Sequence, residues 1–108
     1  MRRLIVLSNG CPAGVLTERS LGKNYIFEYD KDFLSSGKNP VSVTLPLQEA
    51  PYESDILFPF FANMIPEGAN RKMICRVRRI DENDLFGILA AMAGCDAIGS
   101  VTVGRMDG

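Results

Sequence analysis

The sequence predicts an α+β domain: a small, mostly antiparallel sheet or partly closed barrel of about five strands, with about three helices inserted before the last strand. Three observations carry this. Runs of β-branched or alternating apolar residues recur between Arg3 and Leu45 and return at Gly99 to Val103. A proline-punctuated apolar stretch, Leu57 to Gly68, separates them. From Ala69 to Met92 the apolar spacing becomes helical.

Taken in order, Arg3 to Ser8 holds the unbroken apolar run Leu4-Ile5-Val6-Leu7 and reads as a strand. Asn9-Gly10 supplies the two positive-φ positions of a tight hairpin turn. The return strand runs through Gly14-Val15-Leu16-Thr17, with Pro12 near its start at an edge position that tolerates a missing N–H. Ser20 to Asn24 is a turn. Tyr25, Phe27 and Tyr29 then alternate with Ile26 and Glu28, giving a strand with one aromatic face. The first third is thus an antiparallel meander.

Asp30 to Leu34 fits one helical turn capped by Asp30, and Ser35 to Asn39 releases the chain. Val41-Ser42-Val43-Thr44-Leu45 alternates as a further strand, kept short by Pro40 and Pro46. Gln48 to Ser54 reads as a loop. Pro59 suits the opening turn of a short helix and Pro66 ends it, so Met64 to Gly68 is a corner between two helices. Ala69 to Arg79 sets Met73, Ile74, Val77 and Ile80 at helical spacing, with Arg71, Lys72, Arg76, Arg78 and Arg79 on the other face. Asp81 to Asp84 breaks the run and offers Asn83 as a cap. The next helix, Asp84 to Met92, gathers Leu85, Phe86, Ile88, Leu89 and Met92 on one face and ends at Gly94. Gly99 to Val103 is a last strand, placed to rejoin the meander.

The chain has 108 residues, which is room for one domain spanning 1–108, and its 46% hydrophobic and 23% charged residues suit a globular chain. A formal net charge of -1 argues against a global attraction to nucleic acid or an anionic membrane, so an electrostatic partner must be met by a local patch. Cys11, Cys75 and Cys95 lie far apart and the chain has no histidine, which excludes a close N/S zinc ligand set and points to buried thiols in a reducing cytoplasm. The apolar run after Arg2-Arg3 stops at Ser8, too short for a signal core or a membrane span.

Little here suggests catalysis. A serine or cysteine nucleophile needs a base, most often histidine, and there is none. Asp81, Glu82 and Asp84 cluster where acids favour a helix start. Gly99 to Gly104 has the glycine spacing of half a phosphate loop but no Gly-Lys-Ser/Thr ending, and the sequence calls for no cofactor and no metal. The five cations between Arg71 and Arg79 suit either phosphates or a solvated face balanced by Asp81, Glu82 and Asp84; no aromatic residue interleaves them. Phe58, Phe60 and Phe61 read as core. At the corner, Met64 and Ile65 beside Glu67 suit either burial or a protein–protein contact.

Phe60-Phe61-Ala62-Asn63-Met64-Ile65-Pro66-Glu67-Gly68 resembles the "FF-x-N-L-L-P-E/D" signature in the N-terminal subdomain of the HipA toxin kinases. Other segments agree in order: Gly14-Val15-Leu16; Tyr25-Ile26-Phe27-Glu28-Tyr29; Val41 to Leu47, like an "SLSLPL" run; Asp84-Leu85-Phe86-Gly87-Ile88-Leu89; and Gly94 to Val101, like "G-x-D-x-x-G-A-V". In full-length relatives this subdomain precedes a kinase core with the ATP site and catalytic aspartate, whereas this chain stops at Gly108. The resemblance therefore implies a freestanding, HipS-like subdomain, the antitoxin component of HipBST-type toxin-antitoxin systems. It implies a non-enzymatic cytoplasmic protein that neutralises a HipT-like serine/threonine kinase toxin, together with a HipB-like helix-turn-helix DNA-binding protein in a ternary complex. The alternative is a non-inhibitory structural subunit, or a truncated N-terminal subdomain, of such a kinase. For the antitoxin the contacts expected are Met64, Ile65, Pro66 and Glu67, flanked by Asn70 and Arg71, with Arg76 and Arg79 meeting acids on the kinase or its partner. No direct contact to nucleic acid or membrane is implied.

Overall fold

The computed structural model describes residues 1–92 and 101–105. β1 (Arg2–Ser8) turns through Asn9-Gly10 into β2 (Cys11–Ser20), and β3 (Lys23–Tyr29) returns after Leu21-Gly22. Asn9 and Gly10 have φ of 50° and 82°, the left-handed pair that matches the twist of a two-residue hairpin. Leu4 faces Leu16 across the hairpin, and a register shift after Val6 sets Leu7 opposite Pro12. Pro12 lies beyond Gly14↔Tyr29, the last β2–β3 pair, so its missing N–H deprives β3 of nothing. The local edge expected for this proline therefore exists inside an interior strand. At Gly14 a Cβ would stand 2.4 Å from the Glu28 carbonyl oxygen and 3.0 Å from the Phe27 ring, so only glycine lets the two strands close there.

After α1 (Lys31–Ser35) the structure departs from the sequence reading. Asp30 precedes the helix without a side-chain cap bond; its backbone N–H instead donates to the Ala13 carbonyl at 2.8 Å. Val41 to Leu45 is not a strand. It is a tight turn with a single bridge, Ser42↔Leu45, that buries Val41 and Leu45 and leaves Val43 92% exposed. Ser42 Oγ accepts the Thr44 N–H at 3.2 Å and bonds Thr44 Oγ1 at 2.9 Å, the local hydrogen bonding by which serine and threonine divert backbone from a ladder. The Tyr29 hydroxyl holds both ends of the turn, accepting the Val41 N–H at 3.1 Å and donating to the Leu45 carbonyl. The fourth strand lies instead inside the segment read as a loop: β4 (Tyr52–Ser54) pairs with β3 through Phe27↔Tyr52 and Tyr25↔Ser54.

α2 (Pro59–Ala62), α3 (Gly68–Arg78) and α4 (Leu85–Ala91) follow, and β5 (Val101–Arg105) closes the described chain. β5 rejoins the sheet beside β1, with Leu4↔Arg105 and Ser8↔Val101. The sheet is antiparallel and open, in the order β4-β3-β2-β1-β5, and the barrel alternative does not arise. One face carries Leu4, Val6, Leu16, Tyr25, Phe27, Tyr29 and Val103, and against it are packed Phe61 of α2 and Phe86, Ile88 and Leu89 of α4. Phe27 and Phe61 rings meet at 5.5 Å and Tyr25 and Phe86 at 6.3 Å, so two helices are seated on one aromatic row of β3.

Two further expectations shift. The α4 cap is Asp84, not Asn83: Asp84 Oδ1 accepts the Gly87 N–H at 3.1 Å, while Asn83 donates its own N–H to Asp81. The proposed stop at Gly94, like Cys95, Gly99 and Ser100, lies outside the described residues. On α3 the buried side is formed by Cys75 with Ile74 and Arg71 partly covered, whereas Met73 and Val77, expected inward, are 62% and 70% exposed.

Candidate partner-binding site

The corner between α2 and α3 is built from its prolines outward. Pro59 starts α2, Phe61 anchors it in the core, and Asn63 caps its end. The chain then tightens, with Met64 N–H on the Phe61 carbonyl and Ile65 N–H on the Ala62 carbonyl, both at 3.1 Å. Pro66, lacking an N–H, stops the turn, and Glu67 is extended ahead of α3 at φ -118° and ψ 165°. From the first turn of α3, Arg71 Nε reaches back to the Pro66 carbonyl at 2.9 Å. That bond uses an otherwise orphan carbonyl to fix the corner against the helix.

The expected contact residues divide by burial. Ile65 is only 4% exposed and packs in the core, so it holds the corner down and offers no contact surface. Met64 and Pro66 are partly covered, and Glu67 and Asn70 are exposed beside them. Arg71 is partly covered and spends one donor on Pro66. Arg76 and Arg79 are exposed farther along α3, Arg79 in the left-handed region at φ 57° as its C-cap. Met64, Pro66, Glu67, Asn70 and Arg71 thus form one patch at the start of α3, and Arg76 and Arg79 belong to its far end.

A second polar constellation escaped the sequence reading. Glu18, buried on β2, accepts from Arg2 Nε at 2.7 Å, from the Tyr25 hydroxyl at 3.1 Å and from the Gly22 N–H at 3.2 Å. Arg2 also grips Asp84 with both terminal nitrogens, at 2.8 Å and 3.1 Å, and lies 5.1 Å from the Phe86 ring centre. The Arg2 hydrogen bonds hold the Asp84 carboxyl below its usual range, and burial followed by the Glu18 carboxylate pushes Tyr25 up to about 12. The cluster thus staples the β2–β3 turn to α4. No sequence signal joins its members, because Arg2 and Asp84 stand 82 positions apart. Among the described residues no group of histidine, cysteine, aspartate or glutamate is arranged to hold a metal ion. Burial raises the Cys75 thiol above its ordinary pKa, the opposite of what an activated nucleophile needs.

Residues 4–104 match the family model described as the HipA N-terminal domain. The chain belongs to the HipA N-terminal domain family. A solved structure, the N-terminal domain of HipA toxin, superposes with a TM-score of 0.73 at 31% identity, over 99% of this chain and 94% of that one. An uncharacterized protein of Haemophilus influenzae is 37% identical over 76 residues, which cover 70% of this chain and 67% of that protein. The HipA N-terminal domain is a unit separate from the kinase domain, and the α+β architecture with its open sheet is the fold of this family. Among the described residues, no helix of this HipA N-terminal domain is long and apolar enough to cross a membrane.

Proposed function

We propose that this HipA N-terminal domain is a HipS-like antitoxin that binds a HipT- or HipA-like serine/threonine kinase toxin directly and neutralises it in the cytoplasm, with a HipB-like DNA-binding protein completing a ternary complex. The observation that supports it most is the corner: a segment fixed from below by Ile65 and from the side by the Arg71–Pro66 bond, presenting Met64, Pro66 and Glu67 on a rigid turn. Such a turn is preorganised for insertion into a cleft. Arg76 and Arg79 supply cations for acids at the rim of the contact. On this reading the domain acts by binding, not by catalysis.

The test is a phosphorylation assay of the kinase encoded beside this gene, titrated with the purified domain. Stoichiometric loss of autophosphorylation and substrate phosphorylation is the expected result. Membership of the HipA N-terminal domain family also fits a non-inhibitory structural subunit of a HipA-type kinase. Tight binding with full kinase activity would establish that reading and end the antitoxin one.

A further inference from the structure

Neighbouring side chains on a strand point to opposite faces of a sheet. The strands that send Leu4, Val6, Leu16 and Phe27 into the core therefore send Ile5, Leu7, Val15 and Ile26 out of the other side. None of these four belongs to the core cluster, and each is partly exposed. The pairing sets Ile5 beside Val15, with Leu7 two residues along β1 and Ile26 diagonal to Val15 on β3. At about 4.8 Å between strands and about 3.3 Å per residue, the patch runs roughly 16 Å corner to corner, about three turns of an α-helix. Its β5 flank is open, because Gly104 stands opposite Ile5 and has no side chain to lay over it; a Cβ there would lie 3.1 Å from Ile5 Cγ2. The outer face of an antiparallel sheet that meets only water alternates to polar residues, and this one does not.

Ile5, Val15 and Leu34 also line a groove of about 540 Å³, together with Glu28, Asp30, Glu49 and Lys31. All four charged side chains are exposed. Three acids thus share the groove with one cation, and among the described residues Lys31 forms an ion pair with none of them, since the only ion pairs are those of Arg2. Two further cations border the patch. Arg3 stands on β1, two strands away from Glu28, and Arg19 shares a second groove with Ile26, Glu53 and Asp55. The excess of acid is therefore local to Glu28, Asp30 and Glu49, at one side of the apolar patch.

We propose that the outer face of the sheet is a docking surface for a basic amphipathic helix of a partner protein, its apolar row lying along Leu7, Ile5, Val15 and Ile26 and its lysines or arginines reaching Glu28, Asp30 and Glu49. Charge selects this occupant. Nucleic acid and an anionic membrane are repelled by the acidic side, and the patch has no aromatic member to anchor it in a bilayer. The partner's helix supplies the second layer that an apolar sheet face needs. This surface lies across the sheet from the Met64 corner, which follows α2 on the core side where Phe61 meets Phe27. The inference does not depend on the kinase reading.

The test places the photoreactive residue p-benzoylphenylalanine at Val15 or Ile26 in the full chain, in the native host, with the same residue at exposed Val43 as the comparator. Thr17, on the same face between them, is the third probe position and removes neither an apolar nor an acidic contact, so the test stands even where a Val15 or Ile26 variant folds poorly. Adducts specific to the outer face are expected, mapping by mass spectrometry to a helical segment of another protein with lysines or arginines flanking an apolar i, i+4 row. The synthetic peptide of that segment should bind the purified domain and lose about tenfold or more in affinity to Glu28→Lys/Glu49→Lys. Adducts on lipid, on nucleic acid or on a second copy of this chain, a mapped segment without cations, affinity unchanged by the charge reversal, or no adduct above the position 43 level would each overturn the proposal. The phosphorylation assay reads the corner alone, so either reading can fail without the other.

Discussion

Arg2 at the start of β1 and Asp84 at the start of α4 are joined by two hydrogen bonds, Nη2 to Oδ1 at 2.8 Å and Nη1 to Oδ2 at 3.1 Å. The same carboxylate caps α4 through the Gly87 N–H. One side chain thus orients a helix and ties it to the sheet, and its loss should be felt at both ends.

Asp84→Asn should lower stability by about 1–3 kcal/mol, the range for a charge-assisted hydrogen bond and a cap together. It should also flatten the acid limb of the stability curve. Because Arg2 holds the folded Asp84 carboxyl below its ordinary pKa, the unfolded chain takes up the proton first as pH falls. The stabilisation is present above the ordinary carboxylate pKa and is lost as pH falls through the folded value. Urea unfolding of both proteins from pH 7 down to pH ~3 checks this, the curves converging at the acid end.

Gly87→Ala should destabilise the domain although alanine is the better helix former by about 1 kcal/mol. A Cβ at this position would stand 2.2 Å from Asp84 Oδ2 and 3.3 Å from Arg2 Nη1. The carboxylate must move, costing the cap and the ion pair, so a net loss of about 1–3 kcal/mol is expected by thermal or urea unfolding. Equal or higher stability would show that the cap contributes little.

Tyr29→Phe removes the hydroxyl that joins Val41 N–H to the Leu45 carbonyl. Two buried backbone groups lose their partner, and about 2–4 kcal/mol should be lost. Amide exchange should rise most at Val41 if the hydroxyl is what holds that turn closed.

Arg79→Gly relieves a non-glycine residue at φ 57° and should raise stability by roughly 1 kcal/mol. If Arg79 also meets an acid on the kinase, the same variant binds the kinase more weakly while melting at a higher temperature. A variant stabilised and undiminished in binding would remove Arg79 from the contact.

Met64→Asp should abolish kinase inhibition. Because Met64 is partly covered and packs on the core, Glu67→Arg, at an exposed position, is the companion variant: it leaves unfolding unchanged and reverses the charge of the corner. Full inhibition by folded Glu67→Arg and Met64→Asp proteins would move the contact elsewhere on the domain.

The meander was readable because its signals are local: Asn9-Gly10 can close a mirror-type turn, and the alternating aromatics of β3 have one periodicity to satisfy. Val41 to Leu45 shows the same alternation, yet Ser42 and Thr44 hydrogen-bond each other and Tyr29 intervenes from a distant strand. β4 is three residues long and exists only because β3 has an edge to offer, a fact no window of sequence contains. Helical spacing located α3 but not its inward side, since the apolar side chains are on both sides and Arg71 is drawn in by the Pro66 carbonyl. The corner was found by its prolines; that Ile65 faces inward while Glu67 faces out required the fold.

The neighbourhood of β1 and β5 sets a timetable for synthesis. β1, β2 and β3 can pair as soon as they are made, because each partner follows within one turn. The other flank of β1 waits for Val101 to Arg105. Throughout that interval a nascent chain displays a bare row of β1 amides and carbonyls beside the Leu4-Ile5-Val6-Leu7 run, open to chaperones and to mispairing with its siblings on the same polysome. Translation speed over the helical segment therefore governs how long that flank is at risk.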